Sequence, residues 1–298
     1  MTIIVDHDLR VVNGATLYMP PWEPGNDKWG TLATPDVYAI GTTQLYPTGT
    51  IYRKGMRTFV YTLTDATYYG ISSGVAILAG YLMESAATIN QGADLIISGA
   101  LDASTMVVNL EGAKDANCYA GGFVGISGDS ITHATVGGCQ SFQIISNTAA
   151  VSGGSYYSTL TLDGTLARVL STDDDYVIAE HPYAKCRVAT SGPYGMTIGV
   201  VICTSAASSY LWLQTGGPCN MLHSEATFEG NAANQTPIFA FFGASNRATG
   251  GASGSMGLYA GELQRIGYSY ASSKADGAIG TSGTIDAISM ACFLTILN

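Results

Sequence analysis

The chain has 298 residues, a formal net charge of −10, and only 11 % charged residues against 47 % hydrophobic ones. That length supports a substantial core, in one large all-β domain or two smaller ones. The charged fraction is less than half of the roughly 25 % usual in globular chains, and the negative balance argues against nucleic-acid binding, which takes a basic patch.

Residues 1–45 read as an extended N-terminal arm. "MPPWEPGNDKWG" holds Pro20, Pro21 and Pro24 with Trp22 and Trp29. The prolines deny it a helix, and tryptophans in an irregular segment suit anchors that fill pockets on a partner. A loop folded back on its own core is the equal alternative. Two β-rich segments are expected to follow, 46–185 and 186–298, which can form one continuous domain.

The clearest element is "YPTGTIYRKGMRTFVYTLT". Its period of two about Lys54-Gly55 predicts a hairpin, with Phe59, Tyr61 and Leu63 on one face. Arg53, Lys54 and Arg57 at its tip read as a solvated hairpin end. Residues 71–92, "ISSGVAILAGYLMESAATINQG", fit a short helix or a buried strand, and read as a strand followed by a loop or one helical turn; the longest apolar stretch, "GVAILAGYLM", is about half the ~20 residues that cross a bilayer. Short runs bounded by Gly, Asp, Asn or Ser follow at strand spacing. They are "DLIISGAL", "TMVVNLEG", "GGFVGIS", "SFQIISNTA", "STLTLDGTL", "DDYVIAEHPY", "TIGVVICTS", "SYLWLQT", "PIFAFFGA", "RIGYSYA" and "AISMACFLTILN". No helical pattern of βαβ spacing separates them, so the expected fold is an antiparallel sandwich or barrel-like body. In "SYLWLQTGGPCNML" both faces are apolar. It reads as a central strand with Trp212 in the core, and Gly216-Gly217-Pro218 turning the chain at its edge. The apolar C-terminal run must be tied into a sheet or an interface, and 244–257 reads as a flexible loop.

Constellations for chemistry are weak. "GISSG" (70–74) matches a nucleophile elbow at Ser72, with partners conceivable among Asp173, Asp174, Asp175, His181 and His223. The elbow needs alternating strands and helices, which the sequence lacks, so no enzyme is expected. Asp173 to Asp175 read as a solvated turn, because a calcium loop spaces its carboxylates alternately. His7, His133, His181 and His223 are scattered, and no metal or cofactor is expected. Asn234-Gln235-Thr236 is a formal glycosylation sequon that carries no weight without a signal peptide. The start "TIIVDHDLR" has no long apolar core, so synthesis in a cytoplasm is expected. The six cysteines, Cys118, Cys139, Cys186, Cys203, Cys219 and Cys292, show no zinc spacing. They read as small buried residues in a reducing compartment; a Cys118–Cys139 pairing is the alternative.

"YPTGTIYRKGMRTFVYTLTDA", "GGFVGISG", "FQIISNTAA", "STLTLDGTLARVLSTDDDYVIAEHPY" and "SYLWLQTGGPCNML" occur in that order. Over roughly 46–225 this pattern resembles a family of virion proteins of tailed bacteriophages encoded with head genes, of the capsid decoration or cement type. The resemblance implies a β-rich subunit present in many copies, without catalysis. Its expected partners are the major capsid protein and itself, as a homotrimer on the capsid exterior. Trp22, Trp29, Pro20 and Pro21 are the expected clasp. Low charge fits, since interface cores are depleted in charged residues. The alternatives are another virion component (tail tube, connector or major shell protein) and a glycan-binding receptor-recognition module.

Overall fold

The structure is a computed structural model. It describes residues 8–12, 14–20, 34–65, 77–87, 89–92, 96–110, 112–128, 139–151, 156–170, 172, 174–188, 196–223, 237–240, 248–250, 264–272 and 288–296. Among these there is no helix, and the protein is all-β. The first strands are β1 (Asp8–Val12), β2 (Ala15–Met19), β3 (Ile51–Lys54), β4 (Arg57–Thr64), β5 (Leu82–Ser85) and β6 (Ile89–Gly92). Then come β7 (Ile96–Ser98), β8 (Thr105–Asn109), β9 (Phe123–Gly128), β10 (Cys139–Asn147), β11 (Tyr157–Leu162) and β12 (Asp174–Ala179). The last are β13 (Lys185–Val188), β14 (Thr197–Val201), β15 (Tyr210–His223), β16 (Pro237–Ala240), β17 (Ala248–Gly250), β18 (Gln264–Ser272) and β19 (Ile288–Thr295).

The chain divides into two compact units. Leu9–Met19, Leu32–Ala86 and Pro182–Asn298 make the larger one, and Ala87–His181 makes most of the other. The larger unit is left and re-entered on adjacent strands: β5 and β13 are antiparallel neighbours, with Ser85 opposite Cys186 and Met83 opposite Val188. Residues 87–181 thus stand where a hairpin would have its turn. The expected segment boundary at 185/186 falls inside β13.

In the larger unit twelve strands form one sheet, with β15 shared by two closed rings. The first ring runs β4-β13-β5-β14-β15 and back to β4; the second runs β15-β17-β16-β18-β19 and back to β15. In the first ring all pairings are antiparallel except β4 with β13. Fourteen residues give β15 about 46 Å of length, enough for both duties. Its first half, Tyr210 to Gly216, pairs with β4; its second half, Gly216 to His223, pairs with β19.

The expected turn at Gly216-Gly217-Pro218 is therefore corrected: the strand continues through it and changes partner. Three features allow this. A bulge lies between Gln214 and Gly216, and Gly217 has φ +80°, which only glycine adopts without strain. A Cβ at Gly217 would overlap the Met56 carbonyl oxygen at the tip of the neighbouring hairpin. Pro218 is tolerated through its register. Ile296 N–H donates to Thr215 O at 3.0 Å, so by alternation Pro218, opposite Phe293, occupies a position that needs no N–H from it.

The hairpin forms as expected: Lys54 pairs with Arg57 around a two-residue turn, Gly55-Met56. Gly55 has φ +59° at the first central position, where a type II′ turn takes glycine. Phe59, Tyr61 and Leu63 do alternate to one side, but Val60 and Thr62 on the other are also buried. Ring closure buries the inner face of β4, and an aromatic cluster covers the outer one. Inward, Val60, Leu211 and Leu213 join Met83, Val188 and Ile198 in the core. On the other face Trp212 sits 5.1–5.8 Å from the rings of Tyr46, Tyr52 and Tyr61. Burial pushes the Tyr61 phenol up to about 12. Trp212 is core, as its sequence context predicts.

"GVAILAGYLM" is not one strand over its described part. Ile77 bridges to Ser205, the chain turns through Gly80 (φ +90°), and β5 begins at Leu82. β1 and β2 pair at the start of the twelve-stranded sheet, so residues 8–12 and 15–19 of the N-terminal segment belong to that sheet. The alternation of Ala15, Leu17 and Met19 buries one face of β2. The C-terminal run is tied into the sheet as β19.

The inserted unit is a seven-stranded antiparallel arrangement ordered β6-β12-β9-β10-β11-β8-β7. Here too a long strand changes partner. Cys139 to Gln143 of β10 pair with β9, then Ile144 to Asn147 pair with β11 across a bulge. Ile144, Met106, Val124, Leu160, Tyr176 and Ile178 fill its core.

Two glycines separate the contributions at the bend. Gly217→Ala combines a left-handed conformation with a backbone overlap, and is expected to destabilise by more than about 2 kcal/mol. Gly14→Ala has the same φ sign (+75°) but open space around its Cβ, and is expected to cost only about 1–2 kcal/mol. Urea unfolding of both variants measures the difference.

Candidate interaction surface

The residues singled out in the sequence fall in different environments. Pro20 follows β2 and is buried. Pro21, Trp22 and Trp29 lie outside the described residues, as do Ser72, Asp173, His7, His133 and the Asn234 sequon. His181 is half-buried just after β12, and His223 ends β15.

Asp174 is the clearest departure from expectation. It opens β12 with its side chain fully buried, where a solvated turn was expected. The reason lies six residues upstream. Arg168 Nη1 donates to Asp174 Oδ2 at 2.8 Å and Nη2 to Oδ1 at 2.5 Å. This two-pronged geometry is what a guanidinium offers a carboxylate, and the hydrogen bond raises the Arg168 pKa further. The larger unit holds a counterpart: Glu84 is buried beside Arg187, whose Nε donates to it at 2.7 Å. Burial pushes the Glu84 carboxyl up, and Arg187 opposes that shift. Both carboxylates are bound to structural cations. Among the described residues no three His, Cys, Asp or Glu side chains cluster as metal ligands would.

The cysteines are more varied than expected. Cys186 and Cys219 are buried, Cys118 and Cys203 half-buried, and Cys139 exposed. Cys118 cannot pair with Cys139. Its sulfur lies 3.8 Å from Asn147 Nδ2, at the far end of β10 from Cys139, about 25 Å along the strand.

What the surface offers instead is apolar area with little charge. β1 ends the order of the twelve-stranded sheet, and among the described residues it has no partner beyond β2. Leu9 and Val11, 57 % and 73 % exposed, project from it. An edge strand that exposes backbone and apolar side chains is a template for pairing with another chain. The signal was present in "VVNGATLYM", since Asn-Gly between apolar runs marks a hairpin; the neighbouring prolines masked it. In the inserted unit Phe123 and Val177 are exposed on adjacent strands, and register puts them on one face with Gly125, Ser127 and Ser141. Asp175, opposite Ser127, is the one charged residue at those register positions.

No family model matches the sequence, and neither a curated protein nor a solved structure is significantly similar to it.

The ion pair gives a test of how the inserted unit is held. Arg168→Met removes both charge-assisted hydrogen bonds from a buried carboxylate and is expected to cost about 3–5 kcal/mol. Adding Asp174→Leu is expected to recover most of that loss, because the buried charge is then gone. Denaturant unfolding of the single and double variants checks both.

Proposed function

We propose that the chain is a structural subunit of a tailed-bacteriophage virion, a capsid decoration or cement protein that binds the outside of the major capsid lattice as a homotrimer and catalyses no reaction. The observation that carries this reading is the β1 edge, with Leu9 and Val11 exposed, in a chain with so little charge. Such an edge adds to a strand of a neighbour through backbone hydrogen bonds, with the two side chains supplying apolar contact. Trp22 and Trp29 follow in the sequence as further anchors. Pro20 is buried in the free chain, so its role is to fix the path of the backbone after β2.

Avidity supplies the mechanism. Each subunit contact is weak, and linkage of several within one oligomer converts the later ones into intramolecular events. The net charge of −10 favours the outer surface over contact with packaged DNA. A glycan-binding role would draw on exposed aromatics, of which Tyr38 and Tyr157 are examples.

The test is co-sedimentation with capsids purified without this protein from the phage that carries its gene. Wild type is expected to pellet with the capsids. Leu9→Lys/Val11→Lys should keep its Tm and lose at least about ten-fold in affinity, the effect of about 1.4 kcal/mol. Wild type that stays in the supernatant would contradict the proposed function; a double variant that binds like wild type would contradict the role of β1.

A further inference from the structure

The register of the second ring brings two thiol residues together that are far apart in sequence. Cys219 of β15 and Cys292 of β19 are direct partners in the antiparallel ladder. Paired Cα atoms in such a ladder lie about 4.5 or 5.5 Å apart, according to the hydrogen-bonding position. Both values fall inside the roughly 4.4–6.8 Å that a disulfide spans. Directly opposed residues also share a face of the sheet. Of the cysteines, these two alone are paired in a ladder among the described residues.

We propose that Cys219 and Cys292 form a cross-strand disulfide when the protein meets a disulfide oxidant, and that this bond locks the second ring along β15. Cys219 is buried and in no disulfide in the structure, the reduced state. The chemistry is exchange. One thiolate attacks a small disulfide such as oxidised glutathione, forming a mixed disulfide and releasing one glutathione thiol. The second thiolate then displaces the other glutathione, leaving the intramolecular S–S bond. Two protein thiols are oxidised, two glutathione thiols are produced, and the protons of the protein thiols end on the released glutathione. Among the other cysteines, Cys186 is unsuited to this exchange, because burial pushes its thiol up to about 12 and the thiolate is the reactive form.

The bond closes a long loop, from β15 through β16, β17 and β18 to β19, and so restrains the unfolded chain as well as the folded one. It does not depend on the proposed function. A particle subunit leaving a reducing cytoplasm would meet oxidising surroundings, but the chemistry can be read on the isolated chain.

The experiment is incubation of the full-length protein with oxidised glutathione under native conditions, alkylation of remaining thiols, and peptide mapping without reduction. The expected result is one linked peptide joining Cys219 to Cys292, with two fewer alkylated thiols per chain and a Tm raised by roughly 5 °C. In Cys292→Ser the linked peptide and the Tm shift are both expected to vanish. A glutathione adduct that persists on Cys219 would overturn the proposal, because no second thiol is then in reach. So would recovery of both cysteines in alkylated form.

Discussion

One strand has to serve two closed rings, and the larger unit depends on how it does so. β15 passes from β4 to β19 without leaving the ladder. That requires a bend, and a bend frees backbone carbonyls that must find donors. Gln214 supplies them. Its side chain is fully buried, and its amide nitrogen donates to Gly216 O at 3.1 Å and Pro218 O at 2.6 Å. Its own carbonyl oxygen accepts from Arg57, at 2.8 Å from Nη2 and 3.3 Å from Nε. Arg57 in turn lies over the Phe59 ring at 4.7 Å, which links the bend to the aromatic face around Trp212. Gly217 permits the close approach of Met56 that completes the arrangement. The polar groups at the bend are thus satisfied inside an apolar setting, where leaving one unpaired costs about 1–3 kcal/mol.

The same economy governs the connectivity. β4 and β15 pair residue by residue, Tyr61 with Trp212 and Val60 with Leu213, although the whole inserted unit intervenes in sequence. Loop closure grows only logarithmically with length, so an insertion between β5 and β13 adds little to the cost of that pairing. The inserted unit carries its own core and repeats the device of a long strand that changes partner, with the bulge at Ile144 to Ser146 in the role of the bend. Asn147 closes that strand. It accepts from Tyr119 N–H at 2.9 Å and donates to Asp115 O at 3.2 Å and Thr148 O at 3.0 Å.

Much of the strand content was legible in the sequence, because period-two runs bounded by Gly, Asn and Asp are a local signal. "TMVVN" and "STLTL" alternate between buried and more accessible positions as β8 and β11. Ring closure was not legible, since the pairing of β13 with β4 and of β15 with β19 joins segments with no local mark. Composition misleads where tertiary context overrides it. Gly216-Gly217-Pro218 has the chemistry of a turn, yet Gly217 and Pro218 both fit a continuous strand, one by its φ and the close approach of Met56, the other by its register. Asp174 has the look of a solvated turn until Arg168 is placed against it. The candidate surface was half legible: the low charge is plain from composition, while the openness of β1 follows only from its place at the end of the sheet order.

These points converge on the continuity of β15, which places the core, both rings and the Cys219 register. Hydrogen exchange followed by mass spectrometry, with fragments that divide β15 near Gly216, tests it most directly. The account predicts that amides on both sides of Gly216-Gly217-Pro218, from Leu211 to Leu222, are among the slowest to exchange and open together, as members of one cooperative unit. Protection that ends at Gln214, with Cys219 to Leu222 exchanging as fast as a loop, would contradict it and restore the sharp turn that the glycines and proline suggest on their own.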